Sequence, residues 1–359
     1  MTYINTLCAD VGTVNCPCPL AETGDCLICS RLSGKEQCDC GWAGVCIYNE
    51  YIQNDSIIRN RRQNGETPIL KKTWYGSDLL VLVLKVTKGF ALKAAQPGSF
   101  VFLKAKGKSD FSNVPVSVMR ADPERGRLYL ALKIISGKTK SIAEEERSLI
   151  LRGVYRNGLL GKGTQGIVED AGIRKGTQGI VEGAGIRKGD RQGSGIDADR
   201  RRWLIVTKGV GFAPAANLIR WADGKVDLDL LIDTEKVNEE IIMDHMQELI
   251  QNGGMNVRIE KGSLAQMTEA FGKERSKKRK ALLAGKYDAD QYDRIILLTS
   301  DYYIKTLAEY MEIPAEKLVF SNNFRMCCGE GICGACGQID ETGCVSKMCK
   351  CKTANPREL

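Results

Sequence analysis

The stretch Trp203-Leu-Ile-Val-Thr-Lys208-Gly-Val-Gly-Phe-Ala-Pro214 decides the fold class of this 359-residue chain. Its apolar start has the length of a buried strand, and the residues from Pro214 onward predict a helix. Glycines between a strand and a helix let a phosphate approach closely, and the helix start offers free N–H groups and a positive dipole. A plain tight turn is the alternative. The pattern predicts a pyrophosphate-binding turn, and thus a nucleotide site, at Gly209, Val210, Gly211, Phe212, Ala213 and Pro214.

Strands and helices alternate from this stretch toward the C-terminus. After the helix that ends near Trp221, we expect strands at 228–232, 257–259 and 295–298 and helices at 239–251 and 303–311. Such alternation predicts a parallel sheet that binds nucleotide at the carboxyl ends of its strands. Asp233, after the second strand, would favour NADH through a ribose contact, whereas Lys236 would favour the 2′-phosphate of NADPH. The sequence leaves that choice open.

On the N-terminal side, short apolar segments rich in β-forming residues are separated by Gly, Pro and Lys. They lie at 79–84, 99–103, 114–119 and 128–135. This spacing predicts a small antiparallel barrel or sandwich. Ser117 places a hydroxyl within one apolar strand, where it either donates to a flavin ring or bonds to the backbone.

The C-terminal cysteines form the most specific motif. Cys328, Cys333 and Cys336 have the Cys-x4-Cys-x2-Cys spacing of a plant-type [2Fe–2S] site, with glycines beside them. Cys351 is the first choice for the fourth ligand and Cys349 the second, ahead of Cys344 and Cys327. A structural zinc site is the less favoured alternative.

The N-terminal segment carries a second, all-cysteine block. The only histidine in the chain, His245, lies far away, so an all-thiolate site is expected, with iron–sulfur favoured over zinc. Eight thiolates are enough for one or two clusters of the [4Fe–4S] type. The candidate ligands are Cys8, Cys16, Cys18, Cys26, Cys29, Cys38, Cys40 and Cys46.

Composition supports a metal-binding or redox role for these cysteines. The segment 1–15 does not resemble a signal peptide, and the longest apolar run, Leu79–Leu84, is too short to span a membrane. We therefore expect a cytoplasmic protein, where clustered cysteines are metal ligands more often than disulfides. The net charge of +8 is spread among 44 acidic residues, which argues against nucleic-acid binding. The short basic runs at 200–202 and 277–280 predict solvated surface rather than a docking patch for an acidic partner.

Residues 162–187 contain a nearly perfect tandem repeat of thirteen residues. Two copies are too few for a solenoid, and their many glycines discourage regular structure. We therefore expect 161–200 to be a surface insertion between domains.

In this order, a Pro-x-Ser strand, a Gly-x-Gly-x-Ala-Pro turn and a Cys-x4-Cys-x2-Cys motif resemble the ferredoxin–NADP reductase superfamily. The resemblance is strongest to the electron-transfer subunits of dihydroorotate dehydrogenase and of NADH-dependent reduced ferredoxin:NADP oxidoreductase. It covers about residues 66–359 without the repeat. Val114 stands where the family usually has Arg, and the N-terminal cysteine block resembles an extension found in sulfide- or dihydroorotate-dehydrogenase-like relatives.

The resemblance implies bound FAD, with NAD(P)H as substrate and flavin and clusters, rather than side chains, as the catalytic groups. The FAD contacts that it implies are Pro115, Val116, Ser117, Thr139, Ser141, Asn157 and Gly158. It implies four parts: a cysteine-rich module and linker (1–62), a FAD-binding β-barrel (63–160), an NAD(P)-binding α/β domain (201–325) after the repeat insertion (161–200), and a [2Fe–2S] module (326–359).

The implied function is that of an electron-transfer subunit in a flavoprotein complex, with an electron-bifurcating transhydrogenase favoured. A larger flavin-containing subunit and ferredoxin are the implied partners. Subunits of dihydroorotate-, sulfide- or glutamate-synthase-type enzymes are the first alternative. A zinc-stabilised scaffold and a stand-alone reductase are the others.

Overall fold

The structure, a computed structural model, describes residues 8–170, 200–237, 239–252, 257–266, 287–339, 343 and 345–352. The basic run at 277–280 lies outside these residues, as do residues 171–199 of the predicted insertion. Among the described helices, none is long and apolar enough to cross a membrane.

Six antiparallel strands close into a barrel with the order β1-β2-β5-β4-β3-β6. Alternate residues such as Leu80, Leu82 and Leu84 point into its core and are fully buried. The prediction of an antiparallel barrel is confirmed, although β1 and β6 were not predicted as strands, because polar residues interrupt them. The strands are β1 (Gly65–Tyr75), β2 (Leu79–Lys85), β3 (Phe100–Lys104), β4 (Val114–Asp122), β5 (Arg127–Lys133) and β6 (Ser148–Tyr155).

Two helices accompany the barrel. Helix α3 (Lys88–Ala94) begins after Thr87, whose side chain accepts a hydrogen bond from the Phe90 N–H. Helix α4 (Gly137–Glu144) begins with a capping box formed by Ser136 and Thr139.

The second domain is a six-stranded sheet with the order β10-β9-β8-β11-β12-β7. Its first five strands pair in parallel and β7 pairs antiparallel to β12, so the predicted parallel sheet is confirmed with one antiparallel edge strand. The strands are β7 (Leu159–Leu160), β8 (Arg202–Lys208), β9 (Asp227–Asp233), β10 (Val257–Gly262), β11 (Arg294–Leu298) and β12 (Leu318–Ser321). Its helices are α6 (Phe212–Ala222), α7 (Glu239–Asn252) and α8 (Asp301–Tyr310).

The start of the tandem repeat belongs to this domain, contrary to the prediction of a surface insertion beginning at residue 161. Residues Thr164–Asp170 form helix α5, in which Ile167 is buried. Asp170 accepts a hydrogen bond from the Trp203 indole at 3.0 Å and pairs with Arg294 at 3.2 Å. These contacts supply the stability that the glycine-rich sequence alone does not suggest.

The two cysteine-rich ends of the chain pack against each other. The N-terminal part contains α1 (Pro19–Glu22) and α2 (Ile47–Gln53), and the C-terminal part contains the hairpin of β13 (Gly337–Ile339) and β14 (Val345–Lys347). The backbones of Cys8 and Cys351 pair as an isolated antiparallel β-bridge, and the Ala9 N–H donates to the Lys350 carbonyl at 2.6 Å. All fourteen cysteines in the described part of the chain are free thiols.

A buried ionic network lies at this junction. Lys350 is 1% exposed, and its ammonium contacts Asp10 at 2.6 Å and Glu330 at 2.7 Å. Arg62 pairs with the same two carboxylates and stacks over the Tyr155 ring of the barrel. Burial alone would raise the pKa of Asp10, but the Lys350 and Arg62 charges lower it to about 2. The network joins the N-terminal part, the barrel and the C-terminal part.

Candidate functional site

A cleft of about 800 Å³ lies between the barrel and the parallel sheet. This volume is in the range of cofactor-binding clefts. Barrel residues that line it include Phe100, Pro115, Ser117 and Lys133, and the sheet contributes residues from the carboxyl ends of β8, β11 and β12. Residues predicted to contact flavin and residues predicted to contact nicotinamide nucleotide therefore meet in one cleft.

The predicted nucleotide turn has the expected backbone. Gly209 has φ +59°, in the left-handed region that favours glycine. At Gly211 a Cβ atom would lie 1.9 Å from the Leu298 carbonyl oxygen, so only glycine lets this turn pack against β11. Gly209, Val210, Gly211 and Pro214 line the cleft, whereas Phe212 and Ala213 are buried in the core.

The seven predicted FAD residues divide into two groups. Pro115, Ser117 and Gly158 line the cleft, whereas Val116, between the first two, is buried in the barrel core. Asn157 is buried and its amide donates to the carbonyls of Met348 and Cys351 at 3.0 and 3.3 Å. In this structure Asn157 therefore holds the C-terminal segment.

The other two predicted FAD residues lie at helix α4. Thr139 is buried, and its hydroxyl accepts hydrogen bonds from the backbone N–H groups of Ile135 and Ser136, each at 3.0 Å. The Ser141 hydroxyl donates to the Lys138 carbonyl at 2.9 Å. Both residues stabilise the helix start and do not line the cleft.

Several residues that line the cleft were not predicted from the sequence. Thr299, Ser300 and Asp301 follow β11, whereas Ser321 is the last residue of β12 and Asn322 and Asn323 follow it. Their position after a parallel strand is the signal that could have identified them, because ligands bind at the carboxyl ends of such strands. Lys133, at the end of β5, is a cation in the cleft that pairs with Asp78 at 3.1 Å.

Asp233, predicted to contact the ribose, is fully buried. Its carboxylate accepts hydrogen bonds from the N–H groups of Glu235 and Leu264, at 3.0 and 2.9 Å, and pairs with Lys208. Glu235 lines the cleft and also contacts Lys208 at 3.0 Å. Of these two carboxylates, Glu235 faces the cleft, while Asp233 fixes the turn beneath it.

The three cysteines of the C-terminal motif lie together with Cys349, and Cys327 also contacts Cys333. The Cys349 thiol is in hydrogen-bonding contact with Cys328 and Cys336, and Cys328 is in contact with Cys333. The contact from Cys349 lowers the pKa of Cys328, which favours a thiolate there. Cys351, the first choice from spacing, lies instead beside Cys8 of the N-terminal part. Spacing alone could not separate two cysteines that are two residues apart.

Backbone N–H groups point at these sulfurs. Glu330 donates to Cys328, Gly331 to Cys349, and Cys349 to Cys336, at 3.2 to 3.3 Å. Hydrogen bonds of this type stabilise thiolates and tune the potential of iron–sulfur sites. The donor set therefore fits a cluster with four thiolate ligands.

Glycines shape the loop that carries Cys328 and Cys333. Gly329, Gly331 and Gly334 all have φ between +68° and +78°. A Cβ at Gly329 would lie 2.6 Å from the Phe102 and Tyr155 rings, and one at Gly331 would lie 2.8 Å from the Leu20 side chain. The loop is thus held between the barrel and the N-terminal part.

An aromatic group connects the cleft to this loop. Phe100 lines the cleft and stacks on Tyr155, with ring centroids 5.2 Å apart. Tyr155 contacts Gly329 closely, and Arg152 of the same strand donates to the Cys328 carbonyl at 3.0 Å. The cysteine group therefore lies directly behind the cleft.

Four of the N-terminal cysteines line one cavity, and three others lie near one another. Cys8, Cys16, Cys18 and Cys26 line one small cavity. Cys38 and Cys40 have sulfurs 4.0 Å apart, and Cys29 lies within electrostatic range of Cys40. Among the described residues, no three Cys, His, Asp or Glu side chains are arranged to hold a single metal ion.

Comparison with known proteins establishes the fold. No protein-family model and no curated protein sequence matches this chain. The solved structure of an NADH-dependent reduced ferredoxin–NADP oxidoreductase, studied for flavin-based electron bifurcation, has a TM-score of 0.50 at 15% identity, covering 81% of this chain and 86% of that one.

A second similar structure is a ferredoxin–NADP⁺ reductase from Neisseria gonorrhoeae with bound FAD and NADP. It has a TM-score of 0.49 at 11% identity, covering 74% of this chain and 100% of that one. The fold assignment rests on the first structure: a six-stranded antiparallel barrel followed by a parallel sheet, as in ferredoxin–NADP reductases.

Proposed function

We propose that this chain is a FAD- and iron–sulfur-containing NAD(P)H oxidoreductase that transfers electrons within a multi-subunit flavoprotein complex. The observation that carries the proposal is the cleft of about 800 Å³, in which Pro115, Ser117 and Gly158 of the barrel side face the Gly209–Gly211 turn. Four cysteines lie behind this cleft, separated from it by Phe100 and Tyr155. This arrangement supports a flavin site with a hydride donor site on one side and an electron exit on the other.

Each wall of the cleft has its own task in this proposal. The barrel residues Pro115 and Ser117 orient the flavin, and Lys133 offsets negative charge. The turn at Gly209–Gly211 and the start of α6 bind the nucleotide pyrophosphate through N–H groups and the helix dipole. FAD, when bound, supplies the chemistry of accepting two electrons as hydride and releasing them one at a time.

We assign the C-terminal cluster to Cys328, Cys333, Cys336 and Cys349, as a [2Fe–2S] centre. The converging thiols and the three N–H donors to sulfur support this set. A two-iron cluster distributes its four thiolates over two irons, so it does not require three sulfurs around a single ion. Arg152 and the close packing of Gly329 fix the loop against the barrel.

The proposed partner is a larger flavin-containing subunit, with ferredoxin as a further partner, in a bifurcating transhydrogenase of the cytoplasm. The similarity to the NADH-dependent reduced ferredoxin–NADP oxidoreductase structure supports this assembly over a dihydroorotate-, sulfide- or glutamate-synthase-type enzyme. The fourteen free cysteines are compatible with a reducing compartment.

The test is anaerobic purification of the full chain. We expect brown protein with about one FAD per chain and cluster absorbance, whose flavin band bleaches when NADH or NADPH is added. Colourless protein that contains two or three zinc ions and no flavin would contradict the proposal and favour a zinc scaffold. Reduction of soluble ferredoxin by the isolated chain, with no subunit co-purifying, would favour a stand-alone reductase.

A further inference from the structure

The spacing of the N-terminal cysteines is nearly repeated. The first four follow the pattern Cys-x7-Cys-x-Cys-x7-Cys, from Cys8 to Cys26, and the next four follow Cys-x8-Cys-x-Cys-x5-Cys, from Cys29 to Cys46. Each half has a central Cys-x-Cys pair with one cysteine well before it and one well after. The pattern divides the eight cysteines into two groups of four, and the division falls between Cys26 and Cys29. These two cysteines nevertheless have the spacing of a single Cys-x2-Cys ligand pair.

The structure brings the first four cysteines together. Cys8, Cys16, Cys18 and Cys26 all line one cavity, closed by apolar residues such as Leu20 and Ile47. The Cys29 N–H donates to the Cys26 sulfur at 3.4 Å, yet the Cys29 side chain does not line this cavity. We call these four residues the inner set.

The second four cysteines do not line this cavity. Cys29 is buried and lies near Cys40, whose sulfur is 4.0 Å from that of Cys38. Cys38 and Cys46 are exposed, with Cys46 preceding helix α2. We call Cys29, Cys38, Cys40 and Cys46 the outer set.

Both sets are all-thiolate, a ligand set that suits a [4Fe–4S] cluster and that zinc can also use. A [4Fe–4S] cluster takes one thiolate on each of its four irons, so its ligands surround a larger volume. Each set also contains the four thiolates that such a cluster uses.

We propose that the N-terminal module holds two separate [4Fe–4S] clusters, one on the inner set and one on the outer set. The assignment goes beyond the proposed function, because it rests on the N-terminal module alone and does not depend on the flavin site.

The arrangement also orders the two sites. The inner set lies against the C-terminal part, because the backbone of Cys8 pairs with that of Cys351 and Leu20 packs against Gly331 of the cluster loop. The outer set faces solvent through Cys38 and Cys46. The outer cluster is therefore the one that a partner protein can approach.

The test measures iron and acid-labile sulfide in full chain reconstituted anaerobically. We expect about ten iron atoms per chain, two in the C-terminal cluster and four in each N-terminal cluster. The double variant Cys26→Ala with Cys29→Ala should lose about eight irons, because it removes one ligand from each set. The matched variant Cys38→Ala with Cys40→Ala should lose about four, and Cys327→Ala none.

A second pair of variants uses the ends of the sets. Cys8→Ala with Cys26→Ala should lose about four irons, and Cys8→Ala with Cys46→Ala about eight. Retained flavin and the C-terminal [2Fe–2S] signal in electron paramagnetic resonance show that a variant is folded. In wild-type protein, the same spectra of the reduced state should show two interacting four-iron centres, and only one after the Cys38 and Cys40 substitutions.

Three results would overturn the assignment. These are a loss of only about four irons in the Cys26 and Cys29 variant, about six irons in the wild type, or zinc bound in place of iron. Failure of the proposed function has a different signature, since absence of flavin or of the two-iron signal leaves the N-terminal iron content unchanged.

Discussion

Asp233 and Glu235 are two residues apart, but their surroundings give them different roles. Asp233 is fully buried and its carboxylate is held by two backbone N–H groups and Lys208. Glu235 faces the cleft next to the nucleotide turn. A carboxylate repels a 2′-phosphate that binds near it, so we expect NADH to be preferred over NADPH.

The substitution Glu235→Gln should therefore shift nucleotide preference toward NADPH. Removing one negative charge next to the 2′-phosphate should change the ratio of kcat/KM values for the two nucleotides by about tenfold, equivalent to about 1.4 kcal/mol. Stopped-flow measurement of flavin reduction gives both values. Asp233→Asn is the matched control and should lower thermal stability without changing the ratio. An unchanged ratio in Glu235→Gln would show that this carboxylate does not face the 2′-position.

The choice between Cys349 and Cys351 is a second question at the residue scale. Cys349→Ala should abolish the [2Fe–2S] signal in electron paramagnetic resonance, because its thiol contacts Cys328 and Cys336. Cys351→Ala should retain that signal, since Cys351 lies beside Cys8. The opposite pattern would restore the assignment that spacing alone favoured.

At the scale of elements, the turn between β8 and α6 depends on two glycines for different reasons. Gly209 needs a left-handed backbone but has open space around its Cα, whereas Gly211 has no room for a Cβ next to the Leu298 carbonyl. A side chain at Gly209 costs about 1 kcal/mol because of the left-handed backbone. A side chain at Gly211 displaces the turn itself.

We expect Gly211→Ala to reduce the rate of flavin reduction by NADH by about 100-fold, the effect of misplacing a binding group by about 1 Å. Gly209→Ala is the control and should lower the rate far less. Both variants should keep their FAD, because the turn lies on the nucleotide side of the cleft. Equal rates in the two variants would show that the packing of Gly211 does not control nucleotide binding.

Helix α7 and strand β1 meet at the single histidine of the chain. The Tyr75 hydroxyl donates to Asp244 at 2.6 Å and lies 3.2 Å from His245 Nε2. Burial, together with the positive charge of Arg220, lowers the pKa of His245 to about 4. His245 is therefore neutral at pH 7, and the contact joins the barrel to the nucleotide domain.

This shift predicts a pH-dependent stability. Between about pH 6.5 and pH 4 the unfolded chain binds a proton at His245 that the folded chain does not, so acidification destabilises the fold in that window. The drop in thermal midpoint from pH 7.5 to pH 5 should be smaller in His245→Gln than in the wild type. Since both proteins share all other titrating groups, an equal drop would exclude a contribution from His245.

At the scale of the whole molecule, the Asp10, Arg62, Glu330 and Lys350 network determines how the two cysteine-rich ends are joined. These side chains come from positions up to 340 residues apart and are nearly excluded from solvent. A buried ion pair stabilises a fold little more than apolar residues of similar volume would. Removing one partner, however, destabilises the fold because it leaves the other charge buried and uncompensated.

Lys350→Met should therefore weaken the attachment of the N-terminal part by about 3–5 kcal/mol, because Asp10 and Glu330 lose their shared cation. Lys347→Met is the matched control: its pair with Asp25, at 2.8 Å, joins the same two parts but lies in partly exposed surroundings. Losing the Lys347–Asp25 pair should weaken the attachment by less than about 1 kcal/mol. The rate of limited proteolysis in the N-terminal part measures both, and equal rates would contradict a structural role for the network.

The sequence by itself determined the barrel, the parallel sheet, the nucleotide turn and the three leading cysteines of the C-terminal motif. Each is encoded locally, by a period of apolar residues, by glycines at a strand end, or by a fixed ligand spacing. The same local information was misleading at 164–170, where burial of Ile167 and pairing of Asp170 override a glycine-rich sequence.

Only the tertiary structure decided the features that depend on distant residues meeting. It brought Cys349 rather than Cys351 to Cys328, directed Glu235 rather than Asp233 to the cleft, and included Cys26 but not Cys29 in the lining of the N-terminal cavity. In each case two residues of the same chemistry lie two or three positions apart. A local pattern cannot separate such neighbours, because the difference between them is set by which remote elements pack against each one.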